Sequence, residues 1–399
     1  MAKKALIVAS VASMIDQFII PNIKLLQSMG YEVDVATNFE KGSTCTDEKI
    51  KELKTNLCDM CVDSFQINFD RKITNIKSII KSTKELNDVV NGKSKTIHGE
   101  KLHKFSKYEF IHCHSPIGGV VGRIVAKLNS IKSIYTAHGF HFYKGAPLKN
   151  WLLFYPVEWF LSWFTDVLIT INGEDFDCGK KKLHSKEVYY VPGVGIDTKK
   201  FQLSSTDIKK KRIDLGFNDT DVIILSIGEL NDNKNHSIVI KAMGELIKTN
   251  LKISKPLHYV IAGKGDLADE LLNIAKEKRI ESQVHLLGFR TDVPELLQAT
   301  DIFVLPSKRE GLNVSLMEAI VSGKVCIASN IRGNKDLIID EGIGYLVDST
   351  DLQGWENAIT HVLTRNIQSI SLKRKEIINM ISLENIDKNM KNIYEEIIN

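Results

Sequence analysis

The stretch DIFVLPSKREGLNVSLMEAIVSG, residues 301 to 323, decides the reading of this chain. An apolar, β-branched run ends in Pro306-Ser307, a charged turn follows, and an apolar-periodic helix begins near Asn313. The order is strand, loop, helix. Glu310 stands before the helix and Glu318 about a turn and a half into it, with seven residues between them. A helix start offers unpaired backbone N–H groups and the positive end of its dipole, so a diphosphate can sit there. A carboxylate on each side then holds hydroxyl-bearing groups, which is the layout of a nucleotide sugar: ribose, diphosphate, sugar.

Around this stretch, apolar strands alternate with helical segments. The expected strands are Lys4 to Ala9, Glu32 to Thr37, Phe110 to Cys113, Ser133 to Thr136, Asp166 to Thr170 and Glu187 to Val191, with a helix from Phe18 to Met29. After VPGVGID the segment 198 to 220 turns polar and Lys-rich, and Val222 to Ile227 starts a fresh strand, followed by 257 to 262, 283 to 287, 301 to 305 and 324 to 328. Alternation of this kind implies parallel sheets covered on both faces. The expected architecture is α/β, with two doubly wound Rossmann-like domains facing each other across a cleft, the usual place for a ligand. Expected boundaries are 1–197 for the first Rossmann-like domain, 198–220 for a linker and the start of the next domain, 221–380 for the second Rossmann-like domain, and 381–399 for a C-terminal helix crossing back.

EGLNVSLME resembles the E-x7-E signature of retaining glycosyltransferases of the GT-B fold, family 4 in particular. SIGELNDNKNHSIVIKAM at 226 to 243 is similar to that family's phosphate loop and helix, VIAGKGD at 260 to 266 to its second glycine turn, and IHCHSP and YTAHGF to its two N-domain loops. The resemblance implies that Glu310 accepts hydroxyls of the donor sugar, Glu318 holds the ribose, and the amides of Gly311, Leu312 and Asn313 face the diphosphate. Lys234 would neutralise charge on the leaving diphosphate. Gly228 and Gly263 would allow close backbone approach, Phe289-Arg290 would hold the base, and His138 would reach the donor sugar. It implies no cofactor, no metal, a nucleotide-sugar donor (commonly a UDP-sugar), and a saccharide or polyprenyl-diphosphate-linked acceptor in bacterial capsule or exopolysaccharide assembly. In two places the chain departs from the pattern. Glu229 stands where many members carry Arg, so either Glu229 points away or another cation such as Lys308, Arg309 or Lys264 compensates, and SVASM at 10 to 14 lacks paired glycines.

Composition bounds these expectations. The chain has 399 residues, 43% of them hydrophobic, and six scattered cysteines, which suits a reducing cytoplasm. No run is apolar enough to span a bilayer. Net charge is +4, but residues 71 to 149 hold 15 Lys and Arg against four acids, 15 − 4 = +11, an attractor for phosphates or an anionic membrane. Aromatics do not interleave the basic run, so nucleic acid is not expected. NWLLFYPVEWFLSWF at 150 to 164 reads as a helix packed on the sheet, or as an interfacial surface for peripheral contact with a bilayer. The CxxC of Cys58 and Cys61 is read as incidental, and Asp175-Phe176-Asp177 as a helix cap. His112 and His114 are read as lying on opposite strand faces, without metal. Alternatives are an epimerase or phosphorylase of the same fold, revealed by product formed without acceptor, and a non-catalytic nucleotide-sugar-binding protein.

Overall fold

The computed structural model describes residues 3–41, 45–70, 73–98, 107–202, 204–249, 255–364 and 372–398. Part of the basic segment, residues 71–72 and 99–106, lies outside them. The chain divides into two compact units, Met1–Val194 with Ile386–Asn399, and Gly195–Asn385.

The first unit holds seven parallel strands: β1 (Lys3–Val8), β2 (Tyr31–Thr37), β3 (Asp63–Gln66), β4 (Phe110–His114), β5 (Lys132–Ala137), β6 (Val167–Thr170) and β7 (Glu187–Tyr190), in the order β3-β2-β1-β4-β5-β6-β7. Mainly apolar, largely buried runs make most of these strands. In β1 every residue after Lys3 is buried, as a sheet covered on both faces requires. The expected helix after β1 begins earlier, at Ala12, and passes through a π-helical stretch, Ile15–Ile19, before the α-helix Ile20–Ser28. Pro21 has no N–H to donate, which accounts for the loosened winding ahead of it. The helix Leu383–Ile398 supplies Ile386, Met390, Ile393, Tyr394 and Ile397 to this unit's core, at helical spacing.

The second unit holds six parallel strands: β8 (Val222–Ile227), β9 (Leu257–Ala262), β10 (Val284–Gly288), β11 (Ile302–Leu305), β12 (Val325–Ser329) and β13 (Gly344–Val347), in the order β10-β9-β8-β11-β12-β13. Both sheets therefore follow the doubly wound pattern 3-2-1-4-5-6. Residues 198–220, expected as a linker and the start of the next domain, belong to this unit. The helix Ser205–Asp214 lies there, and its buried Arg212 donates to the carbonyls of Ala299, Asn218 and Asp221. Two strands escaped the sequence reading. β3 (DSFQ) is short and half polar, and β13 (GYLV) has only four residues.

Candidate active site

In an open parallel sheet, ligands bind beyond the C-terminal strand ends where the winding reverses. In the second unit that point lies between β8 and β11. The loop leaving β8 and the loop leaving β11 are laced together there. Lys308 N donates to Asn233 O at 2.8 Å and Asn233 Nδ2 to Arg309 O at 3.0 Å. Asn235, at φ 55°, donates to the carbonyls of Pro306 and Ser349 at 3.2 and 2.9 Å. Buried His236 braces the first loop from behind. A carbonyl only accepts, so Nε2–H donates to Glu229 O at 3.2 Å and Nδ1 accepts from the Tyr259 hydroxyl at 3.1 Å. Burial holds this imidazole down to about 4, hence neutral.

Across the laced loops, Lys234 Nζ lies 2.7 Å from Glu310 Oε1, with side-chain exposures of 18% and 13%. Two residues 76 apart in sequence thus form one half-buried ion pair. The stem of Lys234 runs beside Gly228, where a Cβ would come within 3.1 Å of Lys234 Cε. At Gly263 a Cβ would meet the carbonyl oxygen of Gly228 at 1.8 Å, so no side chain fits without moving the loop.

The helix Val314–Val321 starts beside this pair, capped by Asn313, whose side chain accepts from Leu316 N at 3.1 Å. Among the described residues, the amides of Gly311, Leu312 and Asn313 donate to no protein acceptor. Glu318 lies farther along the same helix. Burial pushes its carboxyl up to about 7, against the opposing pull of Lys200. A carboxylate here lacks water and gains from any hydroxyl brought to it.

Other expected residues occupy different settings. Phe289 is 71% exposed at the end of β10. Arg290 is clamped by Asp292, Nε to Oδ1 at 2.8 Å and Nη2 to Oδ2 at 2.5 Å, which holds the Asp292 carboxyl well below the usual range. The Arg290 guanidinium is thus tied into its own turn, while the Phe289 ring beside it is exposed. Glu229 is exposed and accepts from Asn231 Nδ2 at 2.9 Å. Of the compensating cations, Lys308 pairs with Asp232 at 2.5 Å, whereas Arg309 and Lys264 meet no carboxylate among the described residues. Sequence reasoning missed Arg332, which is buried and whose Nε donates to Glu310 O at 3.3 Å, supporting the carboxylate loop from below. An arginine three residues past the end of strand β12, in the run SNIRGN, was the available signal.

In the first unit the corresponding edge is lined by histidines. His112 and His114 sit two apart on β4 and therefore share a face, correcting the opposite-face expectation. Their ring centroids are 4.1 Å apart. His112 bonds the Tyr394 hydroxyl at 2.9 Å and Thr136 Oγ1 at 2.8 Å, and His114 Nδ1 meets His138 Nε2 at 3.2 Å. Desolvation lowers all three, His112 to about 3 and His138 to about 4. His114 Nε2 is buried without a partner beside a cavity of about 20 Å³ shared with His138, Phe18 and Asn22, which has room for one water. Next to it Ser115 adopts φ 65°, ψ 157°, a region few side chains tolerate, and its hydroxyl bonds Ser10 Oγ at 2.8 Å. Among the described residues, no group of three or more His, Cys, Asp or Glu is arranged to hold a metal ion.

The family description "Glycosyl transferases group 1" matches residues 207–379, and "Glycosyl transferase 4-like" matches residues 93–172. The Bacillus subtilis (strain 168) protein EpsD, to which glycosyltransferase activity is ascribed, is 33% identical over 88% of this chain and 85% of its own. The chain belongs to the group 1 glycosyltransferases. A further relative is the Escherichia coli UDP-Gal:alpha-D-GlcNAc-diphosphoundecaprenol alpha-1,3-galactosyltransferase, 32% identical over 75% of this chain and 78% of its own. Among solved structures, Anabaena HepE in complex with UDP and glucose superposes with a TM-score of 0.73 at 17% identity, covering 99% of this chain and all of HepE. The two Rossmann-like units are thus those of the GT-B fold, as expected from the sequence. Within this glycosyltransferase, Lys234, Glu310, Gly228 and Gly263 meet in one place, with Gly311, Leu312, Asn313 and Glu318 on the adjoining loop and helix.

Proposed function

We propose that this glycosyltransferase moves a sugar from a nucleotide-sugar donor, a UDP-sugar, to a hydroxyl of a saccharide carried on a polyprenyl diphosphate, in bacterial surface polysaccharide assembly. The observation that carries the reading is the Lys234–Glu310 pair, 2.7 Å apart, beside three unengaged amides at a helix start. On donor binding the diphosphate takes the amides of Gly311, Leu312 and Asn313 and draws Lys234, while Glu310 accepts sugar hydroxyls and Glu318 the ribose. The base rests against the Phe289-Arg290 turn. Arg309 or Lys264 supplies the cation that Glu229 does not. The bond from the anomeric carbon to the diphosphate oxygen breaks, the acceptor oxygen bonds the same face of that carbon, and its proton passes to the departing phosphate oxygen. Configuration is retained and no metal is required, because Lys234 and the amides offset the new charge. His138, neutral, hydrogen-bonds the donor sugar.

The Escherichia coli relative's name, with a UDP-sugar donor and a diphosphoundecaprenol acceptor, supports the substrate classes. Such an acceptor lives in a bilayer. Among the described residues no helix is long and apolar enough to cross one, so we place the enzyme peripherally on the cytoplasmic, anionic face of the membrane. The test is transfer of labelled sugar from a panel of nucleotide sugars to a polyprenyl-diphosphate saccharide, with and without EDTA. Product that keeps the donor's anomeric configuration and survives EDTA is expected. Isomerised sugar without acceptor, or no nucleotide sugar protecting against thermal unfolding, would overturn the reading.

A further inference from the structure

The helix Leu148–Ser162 is apolar on both sides. Trp151, Phe154, Tyr155 and Leu161 pack into the first unit's core. At about 100° per residue, Leu148, Leu152, Trp159 and the following Trp163 fall in one stripe on the other side, widened by Leu153 and Phe160. Leu152 is 70% exposed and Trp163 58%. A helix on the surface of a globular domain turns polar residues outward. Here Lys149 is the only charged residue among the exposed positions of the helix. An exposed apolar stripe running the length of a helix marks a docking face.

Its surroundings indicate what docks. Lys127 Nζ lies 5.8 Å from the Phe164 ring centre and Lys182 Nζ 5.0 Å from that of Trp151, so ammonium groups sit over aromatic rings of this helix and just past its end. At the foot of the helix, Trp163 and Phe164 line a cleft of about 320 Å³ with Lys127, Lys132 and Lys186; Lys186 pairs with Asp166 at 2.5 Å and Lys132 donates to the Ile397 carbonyl, leaving a net excess of two cations over the single carboxylate. Leucine side chains and tryptophan rings with lysines close by complement the acyl-headgroup boundary of an anionic bilayer. A protein partner would leave the lysine-lined cleft unexplained.

We propose that the exposed stripe of helix Leu148–Ser162 lies flat in an anionic lipid surface, with a lipid phosphate seated in the Lys127–Lys132–Lys186 cleft. This deepens the membrane placement proposed above and rests on it. The two fail separately, because docking is read by flotation and chemistry by transfer to a water-soluble short-chain acceptor. The full chain is floated with vesicles of phosphatidylcholine alone or mixed equally with phosphatidylglycerol, at low and high salt. Wild type should float only with the mixed vesicles and be released by salt. The triple variant L152Q/F160Q/W163Q should lose about tenfold or more in partitioning while keeping its melting temperature and its transfer to the soluble acceptor. A K127Q/K132Q/K186Q variant should lose the preference for phosphatidylglycerol. Three results would overturn the proposal: wild type staying with the pellet, flotation that the triple variant leaves unchanged, or a wild-type dimer in sedimentation that the triple variant splits, which would make the face a self-association surface.

Discussion

At the C-terminal edge of the second sheet the groups we propose for the donor site are charged or are unengaged amides: Lys234, Glu310, Glu318 and the start of helix Val314–Val321. At the same edge of the first sheet lie His112, His114 and His138, all held neutral by burial, with the hydroxyls of Ser10 and Ser115 beside them. The strand order is shared. A doubly wound sheet supplies a place, and the loops leaving it supply the chemistry. Charge on one edge suits a diphosphate whose charge grows as it departs. The neutral donors and acceptors on the other suit hydroxyls held by uncharged hydrogen bonds, weaker than those that Glu310 and Glu318 offer.

The contrast is easiest to break at the ion pair. Lys234→Ala and Glu310→Gln should each lower kcat by about 10² to 10³ while circular dichroism and melting temperature stay near wild type, since each removes charge or hydrogen bonding that acts on the transition state. Near-normal turnover in either would place the chemistry elsewhere. Gly263→Ala should come next. Its Cβ would lie 1.8 Å from Gly228 O, so the loop carrying Lys234 must shift, and donor affinity by calorimetry should fall by about tenfold or more. An unchanged dissociation constant would show that the loop yields without consequence.

Glu318 provides a pH handle. Its carboxyl is raised to about 7 by burial, so the folded protein binds a proton that the unfolded chain releases between the ordinary carboxylate range and about 7. Unliganded stability therefore falls as pH rises through that window, and Glu318→Gln should be more stable than wild type at pH 8, by about 1 to 3 kcal/mol. Nucleotide binding runs the other way. Ribose hydroxyls need the ionised form, so affinity for UDP should weaken by up to about tenfold per unit below pH 7, with proton uptake or release visible in buffers of different ionisation enthalpy. A pH-independent dissociation constant would remove Glu318 from the ribose site.

How far this was legible in sequence depended on what each feature needs. The doubly wound halves announce themselves through apolar runs such as IFVL and VIILSI, because strands buried on both faces must be apolar throughout. β3 and β13 lacked that signal, being short and partly polar. Glu310 and Glu318 could be read because they share one strand-loop-helix unit. The Lys234–Glu310 contact spans 76 residues and depends on loops crossing at the reversal point, which no local pattern encodes. Arg332 reaches the same loop from 22 residues away, and only its place just past a strand end hinted at it. His112 and His114 were misplaced through a pairing rule misapplied, since residues two apart on a strand face the same way.

The smallest effect should come from the neutral edge. His138 is lowered to about 4 and His112 to about 3, so neither carries charge between pH 5 and 8. Each binds fewer protons folded than unfolded, so their stabilising contribution is lost as pH falls from the ordinary histidine value toward about 4, opposite in sign to Glu318. His138→Ala should lower kcat/KM by about tenfold, the worth of one neutral hydrogen bond, and His138→Gln should recover part of it, because an amide can stand in for an uncharged imidazole. The acid limb of the rate profile should keep its midpoint near 7 in both variants, since it belongs to Glu318, and should disappear only in Glu318→Gln. A midpoint that moves with His138 instead would mean that this imidazole is protonated in the working enzyme, and the division between a charged edge and a neutral one would fail.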